Sequence, residues 1–125
     1  MLGATGAVGQ TFVRLLIDHP WFELAELGAS ERSAGKSYRE VTRWLEGPFP
    51  AAFADYEIVS CEASAVRSPI VFSALDSAAA SDIEAAFARA GRLVLSNAKN
   101  FRMEPDVPLV IPEVNAPHLA AIGVQ

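Results

Sequence analysis

Cysteine is nearly missing from this 125-residue sequence, in which Cys61 is the only one. A single cysteine cannot form a disulfide within the chain, which agrees with a reducing compartment. No apolar run approaches the roughly 18 residues that a membrane-spanning helix needs. No basic and apolar leader precedes a cleavage site either. We therefore expect a cytoplasmic protein that does not use a membrane as its partner.

Positive charge is also scarce. Ten Lys and Arg residues stand against 15 Asp and Glu residues, which gives a net charge of −5 and a pI near 4.9. This balance argues against nucleic acid as a partner but leaves small anionic ligands open. Apolar residues make up 51% and charged residues 20% of the chain, which predicts a globular domain or part of one.

Glycine, in contrast, is concentrated at the start, where the sequence reads MLGATGAVGQ. Glycines three residues apart, followed by an apolar run, are typical of a strand that turns sharply into a helix. Gly3 would permit the tight turn, Gly6 would let a pyrophosphate approach bare backbone, and Gly9 would let the helix pack closely. The helix N-terminus would then offer unpaired N–H groups to the phosphates. Small glycine turns without a nucleotide also exist, so the motif alone is weak.

Little sequence precedes this turn. Such a turn normally follows a strand of about five or six apolar residues, whereas only Met1 and Leu2 precede Gly3. We therefore expect the first strand to be truncated.

Helical and extended patterns alternate along the rest of the chain. The predicted strands are FELAELGAS, EIVSCEA, PIVFSAL, RLVLSNA and the short extended piece PLVIPEVN, and the predicted helices follow the glycine turn and occupy SYREVTRWL, SAAASDIEAAFARAG and the start of PHLAAIG. Strands separated by helical segments predict an α/β fold with a doubly wound, mostly parallel, Rossmann-like sheet.

Polar clusters follow several of these strands, and ligands of open α/β sheets bind beyond the carboxyl ends of the strands. The clusters are residues 3–9, 30–36, 73–77 and 96–102. In the second cluster Ser30, Arg32, Ser33 and Lys36 surround the position that contacts the cofactor ribose, which predicts NADP. Glu31 leaves NAD open, because a carboxylate there can bind the ribose 2′-OH.

One related chemistry finds no support. Short-chain dehydrogenases also open with GATGxxG, but they need a Tyr-x-x-x-Lys pair. Here Thr42 follows Tyr38 and Ser60 follows Tyr56 at that spacing.

Longer stretches carry a more specific pattern, above all SNAKNFRM and PDVPLVIPEVNAPHL, together with GATGAVGQTFVRLL, HPWFEL, ASERSAGKSY and VFSAL. In their order along the chain, these stretches resemble the amino-terminal part of aspartate-semialdehyde dehydrogenase of the archaeal and fungal type. The resemblance implies an NADP-dependent oxidoreductase of lysine, methionine and threonine biosynthesis. Its reaction interconverts aspartyl phosphate and aspartate semialdehyde.

The resemblance also implies roles for individual residues. Thr5, Gly6, Ala7 and Val8 would cradle the pyrophosphate. The 2′-phosphate would be bound by Ser30, Arg32 and Ser33. Closer to the reacting groups, the resemblance assigns Ser73, Leu75 and Asn97 to the cofactor and Arg102 to the substrate phosphate.

The family's nucleophile lies in an Asn-Cys-Ser/Thr segment that follows the stretch resembling PEVNAPHL, and a histidine base lies further on. Cys61 and His118 do not occupy those positions, so we expect residues 1–125 to form an incomplete cofactor domain with no catalytic residue and no metal site. The catalytic and dimerisation domain would be absent from this chain, and the full-length enzyme would be a homo-oligomer. Relatives of malonyl-CoA reductase or N-acetyl-glutamyl-phosphate reductase, and a non-catalytic NADP-binding module, remain alternatives.

Overall fold

The computed structural model describes residues 1–121 of the chain. Its helices are α1 (Ala7–Leu16), α2 (Tyr38–Val41), α3 (Ser77–Arg89) and α4 (Pro112–Asn115). Its strands are β1 (Leu27–Ala29), β2 (Ile58–Ser60), β3 (Ile70–Ser73) and β4 (Leu93–Ser96), and 3-10 turns span Ala51–Phe53 and Ala116–Ala121.

The strands are parallel, as predicted. β1 pairs with β2, with Leu27 opposite Ile58, and β3 pairs with β4, with Ile70 opposite Leu93. Leu2 bridges the two pairs, because it lies beside Gly28 on one side and Ser73 on the other. Across the molecule the order is therefore β2, β1, the Met1–Leu2 segment, β3 and β4. The strands β1 and β2 extend the sheet on one side of the Met1–Leu2 segment, and β3 and β4 extend it on the other side. The strand order therefore reverses at this segment.

Met1 and Leu2 also divide the core, because successive residues of an extended chain point to opposite faces of a sheet. Met1 packs with Val13 and Leu16 of α1, whereas Leu2 packs with Val71 and with Phe87 of α3. Helices thus cover both faces of the sheet, as the prediction of a doubly wound sheet requires.

The two long helices end where their sequences indicate. α1 is followed by Asp18 with φ +53°, shortly before Pro20. α3 begins at the cap Asp76 and is followed by Gly91 with φ +74°, a conformation that glycine adopts without steric cost.

The prediction of an extended piece over PLVIPEVN was wrong for its second half. Pro112–Asn115 forms the helix α4, and residues 105–111 contain no strand. Pro112 stands in the first turn of α4, where no helical N–H is required. Asn115 also holds the turn, because its side chain accepts a hydrogen bond from the Ile111 amide at 2.6 Å. The following predicted helix is a 3-10 turn, and its final residues Ile122 and Gly123 lie outside the described part of the chain.

Within residues 1–121, none of the helices combines the length and the apolar character that crossing a lipid bilayer requires.

Candidate functional site

A cleft of about 650 Å³ opens where the central strands end. Its walls come from the glycine turn, the ends of β1 and β2, and the segment that connects β3 to α3. The lining residues are Gly3, Thr5, Gly6, Ala29, Ser30, Glu31, Ser60, Cys61, Glu62, Ala74, Leu75, Asp76, Ala79 and Ile83. The cleft therefore lies at the carboxyl edge of the sheet, next to the place where the strand order reverses.

Two of the three glycines are required by the fold itself. Gly3 has φ +72°, and a Cβ there would lie 2.7 Å from the Ala74 carbonyl oxygen. A Cβ on Gly9 would lie 2.0 Å from the Gly3 carbonyl oxygen, so only glycine lets α1 pack this closely on the turn. These two positions confirm the predicted tight turn and close packing.

Gly6 is different. Its backbone is extended, with φ −75°, and the nearest atom to an added Cβ is the Gly3 carbonyl oxygen at 3.4 Å. The fold would tolerate a side chain at Gly6. Because Gly6 lines the cleft, that side chain would take up space there. Glycine at this position therefore leaves space for a ligand, which fits the predicted approach of a pyrophosphate to bare backbone.

Two helices begin at this cleft, but only one leaves its N-terminus open. No side chain caps α1, whose cap residue is Gly6. At α3, the carboxylate of Asp76 accepts hydrogen bonds from the Ala78 and Ala79 amides at 2.9 and 3.0 Å. An anion is therefore favoured at α1, where the helix dipole is positive and uncompensated, and disfavoured beside Asp76.

The loop after β1 contributes only partly to the cleft lining. Ser30 and Glu31 line the cleft, whereas Arg32 and Ser33 lie further along the same turn. The Ser33 amide closes that turn on the Ser30 carbonyl at 2.8 Å. Arg32 is exposed, so its guanidinium is accessible from solvent.

Ser73 and Leu75 differ in their access to the cleft. Leu75 lines the cleft. Ser73 is fully buried, and its hydroxyl donates to Glu84 Oε1 at 2.7 Å. The role predicted for Ser73 stays a prediction, and the structure gives its hydroxyl a partner within the fold.

Asn97 and Arg102 share one loop after β4, outside the cleft lining. Arg102 donates from Nη2 to the Asn97 carbonyl at 2.6 Å and from Nε to the Ala98 carbonyl at 3.1 Å. The guanidinium thus stabilises the backbone of its own loop. A role in binding substrate phosphate would require Arg102 to use its remaining N–H groups or to give up these contacts.

The sequence prediction missed the carboxyl end of β2, where Ser60 and the two residues after the strand, Cys61 and Glu62, line the cleft. Polar residues at the end of a parallel strand were the available signal, because the same rule had selected the other clusters. Burial raises the pKa of the Cys61 thiol. The thiol therefore stays protonated near neutral pH and is a poor nucleophile.

These features together define a dinucleotide-binding domain of the Rossmann type: a doubly wound parallel sheet, a glycine turn at the reversal point, and an open helix N-terminus facing the cleft. The model of the semialdehyde dehydrogenase NAD-binding domain matches residues 1–122, and the chain belongs to that family.

Curated relatives are similar over the whole chain. Aspartate-semialdehyde dehydrogenase of Trichophyton rubrum is 50% identical over 127 aligned residues, which cover 100% of this chain and 35% of that protein. The enzyme of the same name from Archaeoglobus fulgidus is 51% identical, with 100% of this chain and 37% of that protein covered. The chain thus spans about a third of the length of the curated relatives it matches.

Solved structures show the same arrangement. The crystal structure of aspartate-semialdehyde dehydrogenase with NADP from Candida albicans matches with a TM-score of 0.90 and 48% identity, over 95% of this chain and 34% of that one. Aspartate-semialdehyde dehydrogenase II of Vibrio cholerae, complexed with ASA, matches with a TM-score of 0.70 and 34% identity, over 96% of this chain and 36% of that one.

Proposed function

We propose that this chain is the NADP-binding part of an aspartate-semialdehyde dehydrogenase, which interconverts aspartyl phosphate and aspartate semialdehyde. The observation that carries the proposal is the open N-terminus of α1 beside Gly6, a cradle for a pyrophosphate in the cleft. Relatives about 50% identical carry that enzyme's name, and the similar Candida albicans structure holds NADP.

In this proposal the pyrophosphate lies against Thr5–Val8. Gly6, Ala7 and Val8 are exposed at the start of α1, so their backbone is accessible from solvent. The cofactor, when bound, would donate the hydride in its reduced form and accept it in its oxidised form. The residues of this chain bind the cofactor, orient it, and exclude water from its apolar contact with Leu75.

The 2′-phosphate is assigned to Ser30, Arg32 and Ser33. An arginine can bind a phosphate through two parallel N–H donors, and the exposed guanidinium of Arg32 is available for this. Glu31 lines the cleft beside it and would repel a 2′-phosphate unless Arg32 compensates. The choice of cofactor therefore depends on this adjacent pair.

Residues nearer the reacting end keep the roles that the family resemblance implies. Leu75 and Ser73 would contact the cofactor near the cleft wall, and for this the Ser73 hydroxyl would have to leave its present acceptor, Glu84 Oε1. Asn97 would lie near the nicotinamide or the family's active cysteine. Arg102 would bind the substrate phosphate through its remaining N–H groups or after it releases the carbonyls of its loop.

The proposal assigns no catalytic residue to this chain. A nucleophilic cysteine must ionise, and burial raises the pKa of the Cys61 thiol. Covalent chemistry would then be supplied by a substrate domain, and assembly of the enzyme into a homo-oligomer stays a prediction.

Replacement of Arg32 by alanine tests the cofactor assignment. In full-length polypeptide, Arg32→Ala should weaken NADP binding about 10- to 100-fold, the worth of a charge-assisted hydrogen bond or two. NAD binding should change less than about threefold, since NAD offers no 2′-phosphate. Kd values for both cofactors can be measured by fluorescence titration.

Arg89→Ala is the matched control, because Arg89 is an exposed arginine in the last turn of α3, at the end of that helix remote from the cleft. It should leave both Kd values unchanged. Equal losses for NADP and NAD in Arg32→Ala would contradict the assignment and favour Glu31 as a ligand of the ribose.

A further inference from the structure

The backbone of the glycine turn contains both N–H groups, which attract an anion, and carbonyl oxygens, which repel it. A turn that binds an anion must present N–H groups to it and keep its carbonyl oxygens away, because each oxygen would repel the phosphate. All four carbonyls from Gly3 to Gly6 are engaged within the protein. Gly3 O accepts from the Gly6 amide at 3.1 Å, and Gly6 O accepts from the Gln10 amide at 2.9 Å.

The other two carbonyls depend on side chains. Ala4 O accepts a hydrogen bond from the Tyr38 hydroxyl at 2.9 Å, and Thr5 O accepts one from Gln10 Nε2 at 2.9 Å. Neither donor belongs to the turn. The orientation of two of its peptide groups is therefore set by residues that do not line the cleft.

Gln10 has one possible orientation in this setting. Its side chain is 2% exposed, and Nε2 also donates to the Arg43 carbonyl at 3.1 Å. Its Oε1 accepts from the Leu45 amide at 2.7 Å. A flipped amide would place donor against donor and acceptor against acceptor, so the buried network fixes Nε2 on the Thr5 carbonyl.

Tyr38 is the second residue whose side chain donates to a carbonyl of the turn. It is the first residue of α2, directly after the loop of residues 31–37, and its side chain is fully buried. The capping box of Ser37 and Glu40 holds the start of that helix. Burial raises the pKa of Tyr38 to about 12, so its hydroxyl remains a donor across the physiological pH range.

We propose that Gln10 and Tyr38 are positioning residues of the cofactor site, which hold the Thr5 and Ala4 carbonyls away from the pyrophosphate. This inference rests on the proposed binding of NADP at the turn. Neither side chain lines the cleft.

The test compares a ligand that has a pyrophosphate with one that has none. Tyr38→Phe removes one oxygen and keeps the ring, and Gln10→Met keeps the side-chain length but removes both donors. In full-length polypeptide, each variant should weaken NADP about three- to tenfold, the net worth of one hydrogen bond. Adenosine 2′-monophosphate should bind each variant as it binds wild type, because it carries no phosphate to the turn.

Tyr56→Phe is the matched control, since its ring packs on Phe53 at 5.1 Å and the change removes the same atom away from the turn. It should change neither Kd. If Gln10→Met does not fold, Tyr38→Phe carries the test alone.

The following outcomes overturn the inference. A lower melting temperature in Tyr38→Phe with an unchanged NADP Kd would show a structural role only. Equal losses for both ligands would show a general disturbance of the cleft. Wild type that binds neither ligand would overturn the proposed function as well, whereas wild-type binding without an effect of Tyr38→Phe overturns the inference alone.

Discussion

The glycines at the start of the chain differ in what requires them: two are required by the fold, and one leaves space for a ligand. Gly3 and Gly9 are required by backbone geometry, since a Cβ at either position would overlap a carbonyl oxygen. Gly6 meets no such obstacle within 3.4 Å. Three glycines of one motif thus have two different physical causes, which a stability measurement and a binding measurement can distinguish.

Alanine at Gly6 and at Gly9 should give opposite patterns. Gly9→Ala should lower the free energy of unfolding by about 2 kcal/mol or more, because α1 must move away from the turn. Gly6→Ala should cost at most about 1 kcal/mol, typical of an N-cap change, yet weaken NADP binding at least about tenfold by filling the phosphate's space. Urea unfolding and cofactor titration provide the two numbers. Wild-type affinity in Gly6→Ala would contradict the assignment of the pyrophosphate to this turn.

Among the elements, β3, β4 and α3 are joined by one buried carboxylate. Glu84 is 4% exposed, and its Oε1 accepts hydrogen bonds from the Ser73 hydroxyl at 2.7 Å and the Ser96 hydroxyl at 2.6 Å. Ser73 and Ser96 are the paired last residues of their strands. Glu84 therefore fixes the strand ends beneath the cleft wall that carries Leu75.

Removal of this carboxylate should loosen the strand ends. Glu84→Ala leaves the buried Ser73 hydroxyl without its acceptor and opens a cavity, so the free energy of unfolding should fall by about 2–4 kcal/mol. Glu84→Gln retains an acceptor oxygen and should lose less than half as much. Asp82→Ala, on the exposed side of the same helix, serves as a reference for the effect of alanine in α3. Equal losses for the alanine and glutamine variants would show that the two hydroxyl contacts contribute little.

The elements that could be predicted from sequence are those whose signals are local. Alanine-rich periodicity together with Gly91 indicated α3, and the glycine spacing indicated α1. Pro112 was ambiguous, since proline suits both an extended edge and the first turn of a helix, and the side-chain contact of Asn115 decided in favour of the helix. Such a contact cannot be read from a pattern of apolar residues.

For the whole molecule, the alternation of strands and helices was sufficient to predict a parallel sheet, and the rule on strand ends located most of the cleft. The position of Ser60–Glu62 in the cleft wall was missed, because it depends on the pairing of β2 beside β1. The fixation of the turn by Gln10 was equally out of reach. Its contact with the Arg43 carbonyl spans 33 residues and depends on how two segments pack.

The last prediction concerns what the molecule as a whole can do. With a cofactor cleft but a thiol whose pKa is raised, the 125-residue chain should be stabilised by NADP and yet fail to oxidise aspartate semialdehyde in the presence of phosphate. A ligand that binds only the folded state at 100 times its Kd adds about 2.7 kcal/mol to the free energy of unfolding. Positioning, however, accelerates a reaction only when a reacting group is present. Thermal unfolding with and without NADP measures the first property, and NADPH absorbance measures the second, with the Candida albicans enzyme as the positive control. Turnover by this chain that Cys61→Ser abolishes would contradict the proposal and identify Cys61 as a nucleophile.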